Sequence, residues 1–587
     1  MTLIESEILQ EVSSEELDKH VDYIAHLDRL SGTPGFDSAV KYICDKLAEY
    51  NVRADVYEFH AYLSQPKNAS ISITTPKAER KEMRAFPFAF SAATSGSGVE
   101  GELVSAENSN DLKKSELSNK VVLTKLAPAL DFPGKVRLCE EREAKALVVG
   151  GIAPNTIHAM TSSPVWGTPS LESFQHLPKI PIVSVRTEDA RYLQDLARKT
   201  GLVVRVGSDV WQGWKLVKLT VGTIKGHVEP NRFVLAAGHL DGWWEGATDN
   251  ATGNATLLEM ARVLSKNKNR LRRSVKVAWW PGHSDGRYAG STWFCDNFRK
   301  DLLENCIANI NIDSTGTKDA TLAEATFTHT GDIRNFHVKT TRDLAAAEPR
   351  NNLRMFRAGD HSFLPAGIPS LATYAMAPPG KTLEGIGGSG GKWWWHSEHD
   401  TTDKVDSSLL VEETKLNTLL AFRLANSPVL PLEYVTVSQD IVDGISEIQK
   451  EISDHVLREL AEKAKELRQL SEKLQAMAAK ADNNERMADK VNSCLMAVGR
   501  ILNSTVYTMR GSFDHDPAAP QPHLLPTLTA LADQLSSLTP ESNEFRFAKT
   551  SFTRESGRIL QSIEQALALL RAHTGMNRSN PIEDRQN

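Results

Sequence analysis

The chain has 587 residues, 40% of them hydrophobic and 24% charged, with a formal net charge of −6. That length exceeds what one hydrophobic core can serve, so three or four structural units are expected. No apolar run approaches the roughly 20 residues that cross a bilayer, and the charge balance offers no basic field for nucleic acid, so neither a membrane nor a nucleic acid is expected as a partner.

Met1 to Asp18 carries five glutamates before any long apolar run, the reverse of a secretory signal, so export is not expected. Cys44, Cys139, Cys295, Cys306 and Cys494 are scattered without a C-x-x-C pair, which argues against a disulfide framework or a cysteine zinc cage and for a reducing, cytoplasmic compartment. Ile8, Val12, Leu17, Val21, Ile24 and Leu27 recur at helical spacing, followed by the turn Ser31-Gly32-Thr33-Pro34-Gly35. A second helix is predicted over residues 36–50 and an alternating strand over 52–59. Between about residues 95 and 207 the pattern becomes short β-branched strands, 121–124 and 146–149, with a Pro- and Ser-rich loop over 154–169; this reads as an inserted β-rich domain.

Strands are predicted next at 216–221, 232–237, 274–280 and 308–312, with a helix over 255–265. Such alternation gives a mostly parallel sheet in a three-layer α/β fold. Ligands of such sheets collect beyond the carboxyl ends of the strands, where His239, His283 and Asp313 fall. The cluster Arg270, Arg272 and Arg273 reads as a solvated start of a strand. After the proline-bounded stretch 428–431, the apolar residues Ile441, Ile445, Ile448, Ile452, Leu460, Ala464, Leu467, Leu474 and Met477 predict one long amphipathic helix. It either packs on its own domain or forms a subunit interface. A helix over 559–573 closes the fold, and the polar residues after Thr574 read as a frayed tail.

The densest polar constellation is His239-Leu240-Asp241 followed by Gly246-Ala247-Thr248-Asp249-Asn250. Imidazole and carboxylate donors bind zinc at about 2 Å, and catalytic sites keep a position for water. Asp241 is either a donor itself or the carboxylate that steadies the histidine. Later strand ends add His283, Asp313, Asp360 with His361, and His396-Ser397-Glu398-His399-Asp400; Asp360 with His361 reads equally well as a cap for a following helix. Trp243-Trp244 and Trp393-Trp394-Trp395 crowd the same loops, either as core or as apolar walls for an aromatic substrate group. The Gly-rich stretch 385–391 is too irregular for a phosphate loop and reads as a mobile flap, so no nucleotide site is expected.

These motifs, with Gly290-Ser291-Thr292, Asn311-Ile312-Asp313, Gly359-Asp360-His361-Ser362-Phe363, Gly367-Ile368-Pro369 and His396-Ser397, are similar to those of the di-zinc peptidases that include bacterial aminopeptidases, glutamate carboxypeptidase and the catalytically dead transferrin receptor. The resemblance covers nearly the whole chain. It implies a zinc-exopeptidase-like domain in two parts, 1–94 and 208–430, a protease-associated-like domain at 95–207 and a helical dimerisation-like domain at 431–587. It also implies that His239 and Asp313 hold one metal, Asp249 bridges, His396 holds the second metal and Asp241 supports the histidine. One or two divalent ions are expected, zinc first, with manganese or cobalt as substitutes, and a homodimer is implied.

The family places two adjacent glutamates, a general base and a metal ligand, after the strand ending at Trp280. This chain reads Pro281-Gly282-His283-Ser284-Asp285-Gly286-Arg287-Tyr288 instead. His283 then takes either the ligand slot or the base slot, for which an ordinary imidazole pKa of about 6.5 is suited. Glu245, Asp285, Glu398, His399 and Asp400 stand in reserve for proton transfer, His399 foremost. The expected chemistry is metal-assisted hydrolysis of a peptide or small amide. A non-peptidase small-amide hydrolase or lyase, and an inert receptor-like scaffold, are the alternatives.

Overall fold

Two long strands organise the architecture of this computed structural model, which describes residues 1–75, 82–199, 201–355, 358–383, 385–452, 454–481, 483–518 and 524–575. Arg53–Ile73 and Val203–Ile224 pair antiparallel from Arg53 opposite Thr223 to Ile73 opposite Val204, with the register shifting between Pro66 and Asn68, where proline has no N–H to give the ladder. At one end of this ribbon, Thr220 to Ile224 pair with the Arg273–Trp280 strand. At the other, Val203 to Val206 pair with Val99–Ser105, which continues into parallel Val121–Lys125, Ala146–Gly150 and Ile182–Val185. The short β-branched strands and the central strands are thereby one 13-stranded sheet.

The centre of that sheet is parallel, in the order Arg273–Trp280, Glu229–His239, Cys306–Asn311, Ser370–Met376. Its strands are buried on both faces, as parallel strands must be when helices cover both sides. Alternation decides which face: Phe233, Leu235 and Ala237 pack with Trp280, Phe294 and Leu302, whereas Val234 and Ala236 pack with Leu257, Leu258 and Leu420. Helices Thr252–Lys266 and Ser407–Asn426 supply one outer layer, and Ala289–Asn297 with Arg299–Asn305 the other. The predicted three-layer α/β fold is the one observed.

Local chemistry decides where helices break, and it changes the predicted long amphipathic helix. The first apolar run is two helices, Leu3–Gln10 and Ser14–Ala25, the second capped by Ser13, whose hydroxyl accepts the Glu16 N–H. The long amphipathic run is also two, Tyr434–Glu451 and His455–Ala481, packed on each other. Ile452 is extended, and the Asp454 carboxylate accepts the Val456 N–H at 2.7 Å, which starts a new helix. Leu460, Leu467 and Leu474 are buried, and their helix packs against Asn543–Thr574 in the same hydrophobic cluster as the sheet's helical layer. No helix follows Asp360 and His361, so they are not a helix cap. The tail beyond Gly575 lies outside the described residues, none of whose helices is long and apolar enough to cross a membrane.

Candidate metal centre

His239 closes the Glu229–His239 strand and is buried. Its Nδ1 donates to the Asp241 carbonyl at 2.8 Å, which turns Nε2 toward the carboxylates of Asp249, 3.1 Å away, and Asp313, 3.6 Å away. Asp313 follows the adjacent parallel strand and accepts the Ser314 hydroxyl at 2.9 Å. Asp249 sits in the turn Ala247–Ala251, whose backbone is tied down by Asp400: the Thr248 and Asp249 N–H groups donate to its two oxygens at 3.0 Å each. The second Asp249 oxygen lies 3.2 Å from His396 Nε2, and His396 Nδ1 donates to the Ala159 carbonyl at 3.1 Å. Asp249 therefore stands between two imidazoles whose Nδ1 atoms are fixed by carbonyls and whose Nε2 atoms converge, the orientation that metal-ligating histidines adopt.

His283 comes in from the turn after the Arg273–Trp280 strand. Gly282 has φ +67°, and a Cβ there would lie 2.9 Å from that of Ala289, so glycine is needed. The Asp241 carboxylate accepts the N–H groups of His283 at 3.0 Å and Ser284 at 2.7 Å. The His283 ring stacks on His239 at 3.8 Å and 13°. Its Nδ1 lies 2.7 Å from Asp360, whose other oxygen accepts the Ser291 hydroxyl, also at 2.7 Å. Donor atoms of His239, His283 and Asp313 all lie within 4.8 Å of one another.

The electrostatics favour a cation. Burial alone would strip His239 of its proton, but the adjacent carboxylates of Asp249 and Asp313 hold its pKa well above the ordinary value. Burial opposes ionisation of Asp249, yet His239 and His396 hold it well below the carboxylate range. Asp360 is likewise lowered: burial acts against it, and His283 outweighs that. Burial pushes Asp400 up to about 7. His239 Nε2 is buried without an aligned hydrogen-bond partner, and a donor set of imidazole nitrogens and carboxylate oxygens fits zinc.

The cavity over these groups has a volume of 190 Å³ and is walled by Trp243, Tyr288, Tyr374, Ile386 and Trp395, with Gly387 and Gly388 at its edge. A larger cavity of 690 Å³ lies between residues 133–141, 164–179 and 510–517 and touches none of His239, Asp249, Asp313 and His396.

Asp249, His283, Asp313 and His396 line the smaller cavity, with His239 directly behind. The other sequence-derived candidates point elsewhere. The Asp241 carboxylate does not hold the His239 ring, because its main-chain carbonyl does so while the carboxylate caps the 283–284 turn. His399 lies against Trp393, ring centroids 5.4 Å apart, outside the cavity. Glu398 pairs with Arg84, Asp400 holds the Asp249 turn, and Asp285 accepts from Ser31 N–H and Gln65 Nε2. The Glu245 carbonyl accepts from Arg29, and its carboxylate does not line the cavity. One residue of the site carried no usable local signal, and another was singled out without its partner. Arg29 is buried and donates to the carbonyls of Leu240, Glu245 and Gly246, fixing the loop between His239 and Asp249. Asp360 meets His283 only through the tertiary fold.

Residues 220–420 match the family profile described as Peptidase family M28. A Zea mays protein named "Probable glutamate carboxypeptidase VP8" is 24% identical over 633 aligned residues, covering 92% of this chain and 86% of that one. Aminopeptidase NAALADL1 of Mus musculus is 42% identical over 106 residues, 17% of this chain and 14% of its own. Among solved structures, BSAP, a zinc aminopeptidase from Bacillus subtilis, aligns with a TM-score of 0.54 at 17% identity, covering 72% of this chain and 97% of that one, a likeness of fold.

Proposed function

We propose that the chain, whose residues 220–420 match the Peptidase family M28 profile, is a hydrolase of that metallopeptidase family and cleaves the amide bond of a short peptide or small amide at the cavity over Asp249. The observation that carries this reading is the pair of Nε2 atoms, from His239 and His396, facing the two oxygens of one buried carboxylate. His239, Asp249, Asp313 and His396 would hold one or two divalent ions. Bound zinc supplies carbonyl polarisation and a water of lowered pKa.

His283 is proposed as the proton acceptor in place of the family's paired glutamates. Its Nδ1 is engaged by Asp360, the relation by which a carboxylate orients a basic imidazole, and Asp249 already joins two imidazoles without it. The other role open to His283 is metal ligand, favoured by the proximity of its donor atom to those of His239 and Asp313. The cavity volume of 190 Å³ and its aromatic walls support a small substrate with an apolar or aromatic part. The homodimer implied by the resemblance would have to form on a surface other than the Leu460, Leu467 and Leu474 stripe, which is covered within the chain; light scattering reports it.

The test is metal content and hydrolysis of peptides and small amides before and after chelation. Zinc uptake with activity lost on chelation and restored by zinc supports the reading, whereas protein that takes up no divalent ion overturns it. His283→Ala separates the two roles: retained zinc with lost turnover marks the base, and lost zinc marks the ligand.

A further inference from the structure

We propose that Arg287 is the receptor for a carboxylate on the substrate, so that the site acts on anionic amides; this rests on the hydrolase reading above. Arg287 is 4% exposed and lines the cavity beside His283 and Asp313. Arg287 and Tyr288 have φ of 48° and 73° in succession, a left-handed conformation that non-glycine residues adopt at a cost, often where function demands it.

What distinguishes Arg287 is how little it bonds. Arg29, also buried, donates to five carbonyls. Arg273 has the Glu229 carboxylate at 2.9 Å. Among the described residues the Arg287 guanidinium makes one hydrogen bond, from Nη2 to the Ala518 carbonyl at 3.2 Å, and its buried Nε meets no partner. Among the described residues no carboxylate stands within ion-pair distance of it. An uncompensated buried charge is expensive, and an anionic ligand removes that expense.

The cavity supports the same conclusion. Among the described residues lining it, Arg287 is the only lysine or arginine, and the only carboxylates are Asp249 and Asp313, both committed to the metal centre. Among the described residues the wall thus offers a receptor for an anion and no uncommitted carboxylate for a free amine. Trp243 Nε1, Thr161 Oγ1 and Thr328 Oγ1 also line it and are buried without partners; all can donate, which suits a ligand rich in acceptors. The Arg287 Cζ is 5.2 Å from the Tyr288 ring, and that ring meets His283 edge-on at 4.9 Å. One aromatic side chain therefore separates the guanidinium from the proposed base, a spacing that lets a carboxylate on Arg287 leave a neighbouring amide at the metal centre.

The experiment uses the full zinc-loaded chain and matched pairs of N-acyl amino acids and dipeptides with their C-terminal carboxamides. The expected result is a preference for the free carboxylate of about 10- to 100-fold in kcat/KM, carried mainly by KM. Arg287→Gln should remove that preference with zinc content unchanged and carboxamide turnover little altered, and Arg287→Lys should restore part of it. Equal loss on both substrate classes, or a wild-type protein indifferent to the carboxylate, overturns the proposal. If neither class is hydrolysed, the hydrolase reading fails, and thermal shift with the same pairs still decides the matter. Carboxylate-dependent stabilisation absent from Arg287→Gln upholds the receptor, and no difference between acid and carboxamide rejects it. Should Arg287→Gln not fold, the wild-type preference and the Arg287→Lys ratio decide.

Discussion

Two buried histidines end strands of this sheet among the described residues, and one of them is built for a metal. His239 and His329 each close a strand, Glu229–His239 and Thr321–His329, and are 1% and 2% exposed. His329 meets His337 edge-on, with Nδ1 atoms 3.3 Å apart, and His337 stacks on Phe327 and bonds the Thr373 hydroxyl at 2.7 Å. No described carboxylate pairs with either, and burial, aided by Arg334, pushes His329 down to about 3. His337 is lowered by burial and by His329. Around His239 the same burial is overruled by Asp249 and Asp313. Strand-end position and burial are thus shared; the carboxylates make the difference, because a pocket that stabilises imidazolium will also stabilise a divalent ion in the proton's place.

The contrast is broken most directly by removing the bridging carboxylate. Asp249→Ala should abolish stoichiometric zinc binding and lower kcat/KM by more than the roughly 100-fold that loss of an outer partner costs, as measured by metal analysis and turnover. His337→Gln should leave zinc content and turnover near wild type while lowering stability by about 1–3 kcal/mol, the usual cost of an unsatisfied buried group. Equal zinc loss in both variants would show that burial, not the carboxylates, defines the site. Asp360→Asn comes next: zinc is retained and turnover falls about 10- to 100-fold, because the amide holds His283 Nδ1 less firmly. Unchanged turnover would remove Asp360 from the mechanism.

How far the sequence reveals this follows from the range of each interaction. The apolar run Phe233, Val234, Leu235, Ala236 and Ala237 is local, so the strand is legible, whereas the partners of its two buried faces come from the tertiary fold. His239, Asp249, Asp313 and His396 are legible as polar residues beside strand ends or in family motifs. The break at Ile452 is not, because the apolar stripe continues across it and only the Asp454 cap decides. Nor is the pairing of His283 with Asp360, which are 77 positions apart. His399 misleads for the opposite reason: it is near His396 in sequence, but His396 has φ 54° and the chain turns away, leaving His399 on Trp393.

The acid response sharpens the comparison further. For His329 the folded pKa, about 3, lies below its ordinary 6.5, so between those values the unfolded chain binds the extra proton. Stability from this group is present above about pH 6.5 and is lost as pH falls toward 3. His329→Leu should therefore flatten the acid limb of apparent Tm against pH in metal-stripped protein. A variant with the wild-type slope would mean that other groups set that limb.

The smallest expected effect has the opposite sign. Burial and the neighbouring Asp241 carboxylate push Asp285 up to about 8 from 3.8, so the folded chain holds a proton that the unfolded chain releases, and stability falls as pH rises between those values. Asp285→Asn cannot ionise and keeps an oxygen for the Ser31 N–H and Gln65 Nε2, while its amide nitrogen takes the place of the Oδ1 that has no partner. Its advantage over wild type should grow from pH 5 to pH 8, reaching about 1–3 °C in apparent Tm, and level off above. An advantage that does not vary with pH would mean that Asp285 is ionised throughout, and that the turn carrying His283 tolerates two adjacent buried charges.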